Sequence, residues 1–223
     1  MKKILVIAPH PDDELLGAGG MILKNLKAGH EVYVCVVTIG TPPLFTNIEL
    51  NKKNQQDAVA CHKAMGIAKT YFLDFPSTML ESIPRYELNG KILDVVRNVQ
   101  PEEVYIPHYG DMQKDHQMVA DAAMVAVRPK YFPQVKRVYA YETLSETGWN
   151  APSVANEFIP NVWIDISDVL EDKLKALSYY TLQISDYPDP RSVEAVRALA
   201  MYRGSQMFYK AAEAFQLIRE LRY

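Results

Sequence analysis

The segment Pro9-His10-Pro11-Asp12-Asp13-Glu14 sets one imidazole and two carboxylates within the four residues His10 to Asp13. Pro9 and Pro11 fix φ on either side of the histidine. Zinc accepts histidine nitrogen and carboxylate oxygen, and a catalytic zinc keeps one position open to water. The simpler alternative is a helix N-cap, with Asp12 or Asp13 accepting from free N–H groups. A cap accounts for an aspartate, but not for the histidine between two prolines. A second segment, Pro107-His108-Tyr109-Gly110-Asp111-Met112-Gln113-Lys114-Asp115-His116, has a similar character. His116 can complete a His10, Asp13, His116 triad, with water as fourth ligand. Here the alternative is that Asp115 caps a helix and His116 is a polar first-turn residue. His30, after Gly29, and His62, on a helix, read as surface or packing residues.

Both segments need a scaffold that brings them together. Ile4–Ala8 is a short, continuous apolar run that reads as a buried parallel strand. Leu15, Leu16, Met21, Ile22 and Leu26 then recur at helical spacing, predicting a helix over 14–28 that Gly29 can stop. The pattern continues with a strand over 31–39, a helix over 51–65 ended by Gly66, and a strand over 70–74. A helix over 88–99, a strand over 104–107, a helix over 115–127 and a strand over 135–141 follow. Alternation of this kind implies an α/β, Rossmann-like fold, with a mostly parallel sheet and helices on both faces. Ligands of such sheets bind beyond the carboxyl ends of the strands, where both segments fall. Residues 143–162 read as a long irregular loop of the kind that is often functional. A strand over 162–166, a helix from a Ser167 or Asp168 cap to about residue 183, and a helical stretch over 192–223 broken near Gly204 complete the reading. Gly17-Ala18-Gly19-Gly20 lacks the spacing of a dinucleotide-binding glycine motif. Close helix packing is its expected role. The whole chain, 1–223, is expected to be one domain.

Composition narrows the function further. The 223 residues are 48% hydrophobic and 23% charged, enough for a core without disulfides. A net charge of −3 offers no basic field for nucleic acid. Cys35 and Cys61 form no CxxC pair, and Cys35 in its apolar run reads as a buried structural thiol. That usage fits a reducing compartment. The apolar run before His10 is too short for a signal segment or a membrane span, so a cytoplasmic protein is expected.

Ala8-Pro9-His10-Pro11-Asp12-Asp13-Glu14, followed by Gly17 and Gly19-Gly20, resembles the signature of the PIG-L/LmbE family of zinc-dependent N-deacetylases. Asp111-Met112-Gln113-Lys114-Asp115-His116 is similar to that family's second motif, commonly D-x-H-x-D-H or D-x-N-x-D-H. Tyr141-Glu142-Thr143 with Ser145, and Arg203-Gly204 with Ala212-Glu213-Ala214-Phe215, resemble looser later blocks. The resemblance spans nearly the whole chain. It implies zinc on His10, Asp13 and His116, and Asp12 as general base. The implied reaction hydrolyses the N-acetyl group of an amino-sugar conjugate, such as a glucosaminyl-inositol, glucosaminyl-malate, or lipid- or nucleotide-linked sugar. It also implies a homo-oligomer, trimer or hexamer. The candidate catalytic residues are then Asp12, Gln113, His108 and Asp115.

One position departs from the pattern. Gln113 stands where many members have a histidine, and an amide can donate a hydrogen bond but cannot transfer a proton. His108 is the alternative imidazole, with a structural strand-end role equally open. Arg85, Trp149 and Arg203, with Tyr109 and Arg191, are candidate sugar contacts, each also readable as packing or surface. Three competing functions stay open: a nucleotide-dependent enzyme on this fold class, a non-catalytic sugar- or metal-binding member, and a hydrolase of another N-acyl or carbamoyl group.

Overall fold

The computed structural model describes residues 1–222. The apolar run at the start becomes β1 (Lys3–Ala8), every residue after Lys3 being buried. Such a strand must be covered on both faces, and it is. Leu5 and Ile7 join a core with α3 (Arg85–Val99) and α4 (Lys114–Ala126). Ile4 and Val6 join one with Ala18, Met21 and Ile22 of α1 (Asp13–Lys27). β2 (Glu31–Ile39), β3 (Lys69–Pro76), β4 (Glu103–Pro107) and β5 (Arg137–Tyr141) extend the sheet in parallel. α2 (Ile48–Met65) lies between β2 and β3 in the chain, and its Ala58 and Cys61 pack with Leu15, Leu16 and Leu23 of α1.

The seven strands run β3-β2-β1-β4-β5-β7-β6, where β6 is Val162–Asp165 and β7 is Ala212–Glu220. β1 and β4 are neighbours, and the chain winds outward from them in opposite directions. They form the switch point of the sheet, the place beyond whose strand ends such folds bind their ligands. Residues 9–13 and 108–115 both leave the sheet there, as the sequence predicts. Among the described residues no helix is long and apolar enough to cross a membrane.

Gly17 and Gly20 allow close approach. A Cβ on Gly17 would lie 2.2 Å from Tyr141 Cδ2, and one on Gly20 would lie 2.6 Å from Ile166 Cγ2. The glycine cluster is therefore a packing device. Cys35 and Cys61 are both buried free thiols.

Two expectations are corrected. The helix expected to run to about 183 is only α5 (Leu170–Leu177), preceded by Val169 without a side-chain cap. Just beyond it Tyr180 turns into the core and bonds Glu14, while Thr181 Oγ1 donates to Asp57 Oδ2 at 2.9 Å. These contacts draw the chain out of helical geometry. The stretch expected to be helical from 192 onward is α6 (Val193–Ser205), with Ser192 capping it through Oγ, followed by the strand β7. Residue 223 of that stretch lies outside the described residues. Ala212–Glu220 contains several good helix formers, but β5 and β6 both offer it antiparallel ladders. Pairing and the packing of Phe215 against Tyr105 override the local preference.

β7 also reaches into α1. Glu213 accepts from the N–H groups of Gly20 and Met21, both at 2.7 Å, and pairs with Lys173 at 2.6 Å. Lys173 Nζ donates to Leu16 O at 2.9 Å. Leu16 O and Gly20 N are the partners that a regular helix would join, so a buried ion pair is set into α1 at this point. Lys173→Met, which strands the buried carboxylate of Glu213, is expected to cost about 3–5 kcal/mol. Urea unfolding measures it, and a change under about 1 kcal/mol would show that the pair carries little of the fold.

Candidate metal centre

Asp13 occupies the first position of α1 and is fully buried. Its Oδ2 accepts from His10 N at 2.9 Å and lies 3.2 Å from His10 Nδ1. His116 Nε2 comes within 3.3 Å of the same oxygen but is not aligned to bond it. One donor atom from each of His10, Asp13 and His116 falls within 4.8 Å of the others. The outer nitrogens are also held: His10 Nε2 is 3.0 Å from Asp115 Oδ2, and His116 Nδ1 is 2.8 Å from Asp111 Oδ2. Each ring thus gives its outer N–H to a carboxylate and turns its other nitrogen inward, the arrangement that orients metal-binding histidines. Asp115 is fixed in turn by the backbone N–H of Thr78 at 2.6 Å, and Asp111 by Thr147 Oγ1 at 2.6 Å.

The residues fit a divalent cation. Asp13 Oδ1 and His116 Nε2 are buried without hydrogen-bond partners, which a cation would supply. The electrostatics agree. Burial disfavours a charged His10 ring, yet Asp115 and Asp13 outweigh it and lift its pKa to about 9. Burial likewise opposes charge on His116, but Asp13 and Asp111 lift it to about 10. Burial pushes Asp13 upward, and His116 and His10 overcome it, holding its carboxyl well below the usual range. The cluster therefore calls for positive charge, from protons or from a metal.

Asp12 has a different environment. It precedes α1 with φ 115°, in the left-handed region, and its side chain makes no capping bond. Non-glycine residues in sparsely populated backbone regions cost about 1–3 kcal/mol and concentrate at functional sites. Its oxygens are both buried and without hydrogen bonds. Burial, reinforced by Asp13, drives its carboxyl well above the usual range, while Arg191 acts in the opposite sense. Arg191 Nε lies 3.6 Å from Asp12 Oδ2. Behind Asp12, Glu14 accepts from the Asp12 N–H at 3.3 Å, and its other oxygen meets His62 Nε2 at 3.0 Å and Tyr180 Oη. His62 is thus a buried packing residue that supports the start of α1.

The structure brings together His10, Asp12, Asp13, Asp115 and His116. Gln113 sits at the N-cap position of α4, half-buried, and its side-chain amide makes no hydrogen bond among the described residues. His108 does not join the cluster: its Nε2 is 3.1 Å from Asn156 O, and its ring packs on Phe158. Arg85 is on the surface, paired with Asp121. Trp149 is 60% exposed within the irregular loop. Arg203 is committed to a two-point bond with Glu142, at 2.8 and 2.7 Å. Sequence reasoning missed the role of Asp111, whose only signal was its place at the head of the second motif. It also missed the contact of Arg191 with Asp12, for which no local signal exists.

Comparison with known proteins places this geometry among relatives. Residues 5–127 match the family described as PIG-L, GlcNAc-PI de-N-acetylase. The chain is 27% identical to diacetylchitobiose deacetylase from Thermococcus kodakarensis, over 98% of this chain and 84% of that protein. It is 30% identical to a probable N-acetyl-alpha-D-glucosaminyl L-malate deacetylase 2 from Bacillus cereus, over 82% of this chain and 84% of that protein. The crystal structure of GalB, the 4-carboxy-2-hydroxymuconate hydratase of Pseudomonas putida KT2440, superposes with a TM-score of 0.77 at 22% identity, covering 100% of this chain and 98% of that one. At that identity the likeness is of fold alone, and the fold by itself does not decide the reaction.

His116→Ala is expected to abolish stoichiometric metal binding. Asp111→Asn, which loosens the ring without removing it, should weaken affinity by about 10- to 100-fold. Competition with a chromogenic chelator measures both. Because the rings hold protons until about pH 9 and 10 in the metal-free cluster, metal uptake at neutral pH should release protons, and affinity should rise with pH. Calorimetry in buffers of different ionisation enthalpy reads the release.

Proposed function

The chain belongs to the PIG-L, GlcNAc-PI de-N-acetylase family, and from that premise we propose that it removes the N-acetyl group from an amino-sugar conjugate. In this reading residues 1–223 act as one zinc-dependent amidohydrolase domain. The observation that carries it is Asp12: a buried carboxylate, unbonded at both oxygens, next to a set of metal donors.

His10, Asp13 and His116 would hold zinc. When bound, zinc supplies Lewis acidity that polarises the amide carbonyl and acidifies water. Asp12 accepts the proton of the attacking water. Its burial without hydrogen bonds raises its affinity for that proton. The protonated Asp12 then donates to the departing nitrogen, so a single group serves both halves of the reaction. Asp111 and Asp115 keep the two rings in their inward tautomers. Of the two candidates for steadying the carbonyl oxygen, Gln113 is favoured, since its amide has no partner while His108 Nε2 is engaged by Asn156 O. An amide donor there contributes a hydrogen bond but no proton.

The relatives support an N-acetylated sugar as substrate, since two of them are named for diacetylchitobiose and for an N-acetylglucosaminyl malate. Amine release from a panel of free and conjugated N-acetylglucosamine compounds tests the class. Product from another acyl or carbamoyl group alone would replace acetyl with that group. Asp12→Asn should retain one metal per chain while turnover falls by about 10²–10⁴-fold. Unchanged turnover would remove Asp12 as the base. Gln113→Ala should lower kcat more than His108→Ala does, and the reverse order would return the carbonyl contact to His108.

A further inference from the structure

Two long polar side chains stand at the centre without a task in the chemistry above. Arg191 comes from the turn between α5 and α6. Its backbone N–H donates to Asp189 Oδ1 at 2.8 Å, and its Nη1 donates to Gln183 Oε1 at 3.2 Å. The guanidinium is thereby held with Nε toward Asp12, yet Nε is shut from solvent and has no acceptor in hydrogen-bonding geometry. Glu146 comes from the turn that follows β5. Its N–H bonds Thr143 O at 2.9 Å, and the next residue, Thr147, bonds Asp111, the carboxylate that holds His116. Glu146 Oε2 is also buried, with no donor.

The two groups approach from separate loops. Each feels the other's charge and that of Asp13. A guanidinium and a carboxylate that are each half-buried near the same centre would ordinarily close on each other as a charge-assisted pair. Among the described residues these two form no ion pair and no hydrogen bond with each other; the ion pair of Arg191 is with Asp12. What remains is Arg191 Nε, 3.6 Å from Asp12 Oδ2 and without a hydrogen-bond acceptor, and Glu146 Oε2 without a donor, both beside the metal-donor cluster. Buried polar groups left in this state ask for a partner that the protein does not provide.

Charge decides the chemistry of that partner. An anion would meet Glu146, Asp12 and Asp13. A cation would meet Arg191 and a bound metal. A neutral group that both donates and accepts suits both sides at once, and a hydroxyl is the smallest such group. In an amino sugar a ring hydroxyl is adjacent to the carbon that bears the acetamide.

We propose that Glu146 and Arg191 clamp that hydroxyl, Glu146 accepting its proton and Arg191 donating to its oxygen, and so select a sugar amide over a simple alkyl amide. The clamp rests on the deacetylase reading for the identity of its substrate. It is a specificity device and leaves the bond-breaking groups as assigned.

The test uses the intact, metal-loaded protein with two probes: the methyl glycoside of N-acetylglucosamine, and the same glycoside lacking the hydroxyl next to the acetamido carbon. Deacetylation is followed by amine release and binding by calorimetry. The wild-type protein should prefer the complete sugar by about tenfold or more, with the difference mainly in KM, because a site built around a hydroxyl rejects its absence. Glu146→Ala should lose about that factor on the complete sugar and no longer distinguish the two probes. Glu146→Gln, which keeps an acceptor oxygen, should regain part of the preference, as should Arg191→Lys relative to Arg191→Met. Unaltered metal content and melting temperature show that a variant is folded.

Undiminished discrimination by Glu146→Ala, or a loss confined to kcat, overturns the clamp while leaving the deacetylase reading intact. A wild-type protein that binds the complete sugar preferentially but releases no amine overturns the deacetylase reading and keeps the clamp. A wild-type protein that does not distinguish the probes in binding or turnover overturns the clamp whatever its activity.

Discussion

The centre of this protein depends on a single buried carboxylate. Asp13 has no exposed surface, and a charge taken out of water must be matched by opposite charge close by. His10 and His116 provide the match, one from just beyond β1 and the other from the first turn of α4. The requirement to neutralise Asp13 thus ties the first strand–helix turn to the fourth. Everything around it serves to keep the two rings in place: Asp115 and Asp111 hold their outer nitrogens, and Thr78 and Thr147 hold those carboxylates. Four loops converge on one pair of imidazoles, so the geometry of the metal donors is overdetermined.

Next to this cluster stands Asp12, whose two oxygens make no hydrogen bond and whose nearest cation, Arg191, is 3.6 Å away. Adjacent residues in one turn therefore have opposite electrostatic conditions. The field of two histidines keeps Asp13 anionic, while burial without hydrogen bonds raises Asp12. The unusual backbone of Asp12 is what separates them. With φ at 115° its side chain leaves the capping position that an aspartate would ordinarily take at a helix start. The stabilisation given up there goes into a free carboxylate beside the metal donors.

Much of this was legible in the residues themselves. Chemistry-bearing types seldom recur by chance at the ends of two strands, and the alternation of apolar runs with helical spacing put those ends on one edge of the sheet. The parts that escaped have physical reasons. β7 reads as helix because its residues favour helix, and only the ladders of β5 and β6 overturn that preference. Arg191 reads as a candidate sugar contact or a surface residue, and its neighbours in the chain do not reveal that the turn folds back onto Asp12. Asp111 lay inside a recognised motif, but the same pattern suits a helix-start aspartate, and residue types alone do not show that its carboxylate reaches the ring of His116. His108 shows the converse: an imidazole next to the motif that packs with the loop instead.

The placement of β7 sets an order of events during synthesis. β6 emerges from the ribosome before β7, yet in the finished sheet β7 lies between β5 and β6. Until residues 212–220 have emerged, β5 and β6 have no hydrogen-bonded neighbour to join them, and Lys173 and the middle of α1 wait for the carboxylate of Glu213. A nascent chain that has already made every metal donor therefore still lacks the support of the helix that carries Asp13. Long-range pairings of this kind form late and slowly. The support of the helix that carries Asp13 is thus completed only when β7 takes its place, and a chain ending before residue 212 would lack it.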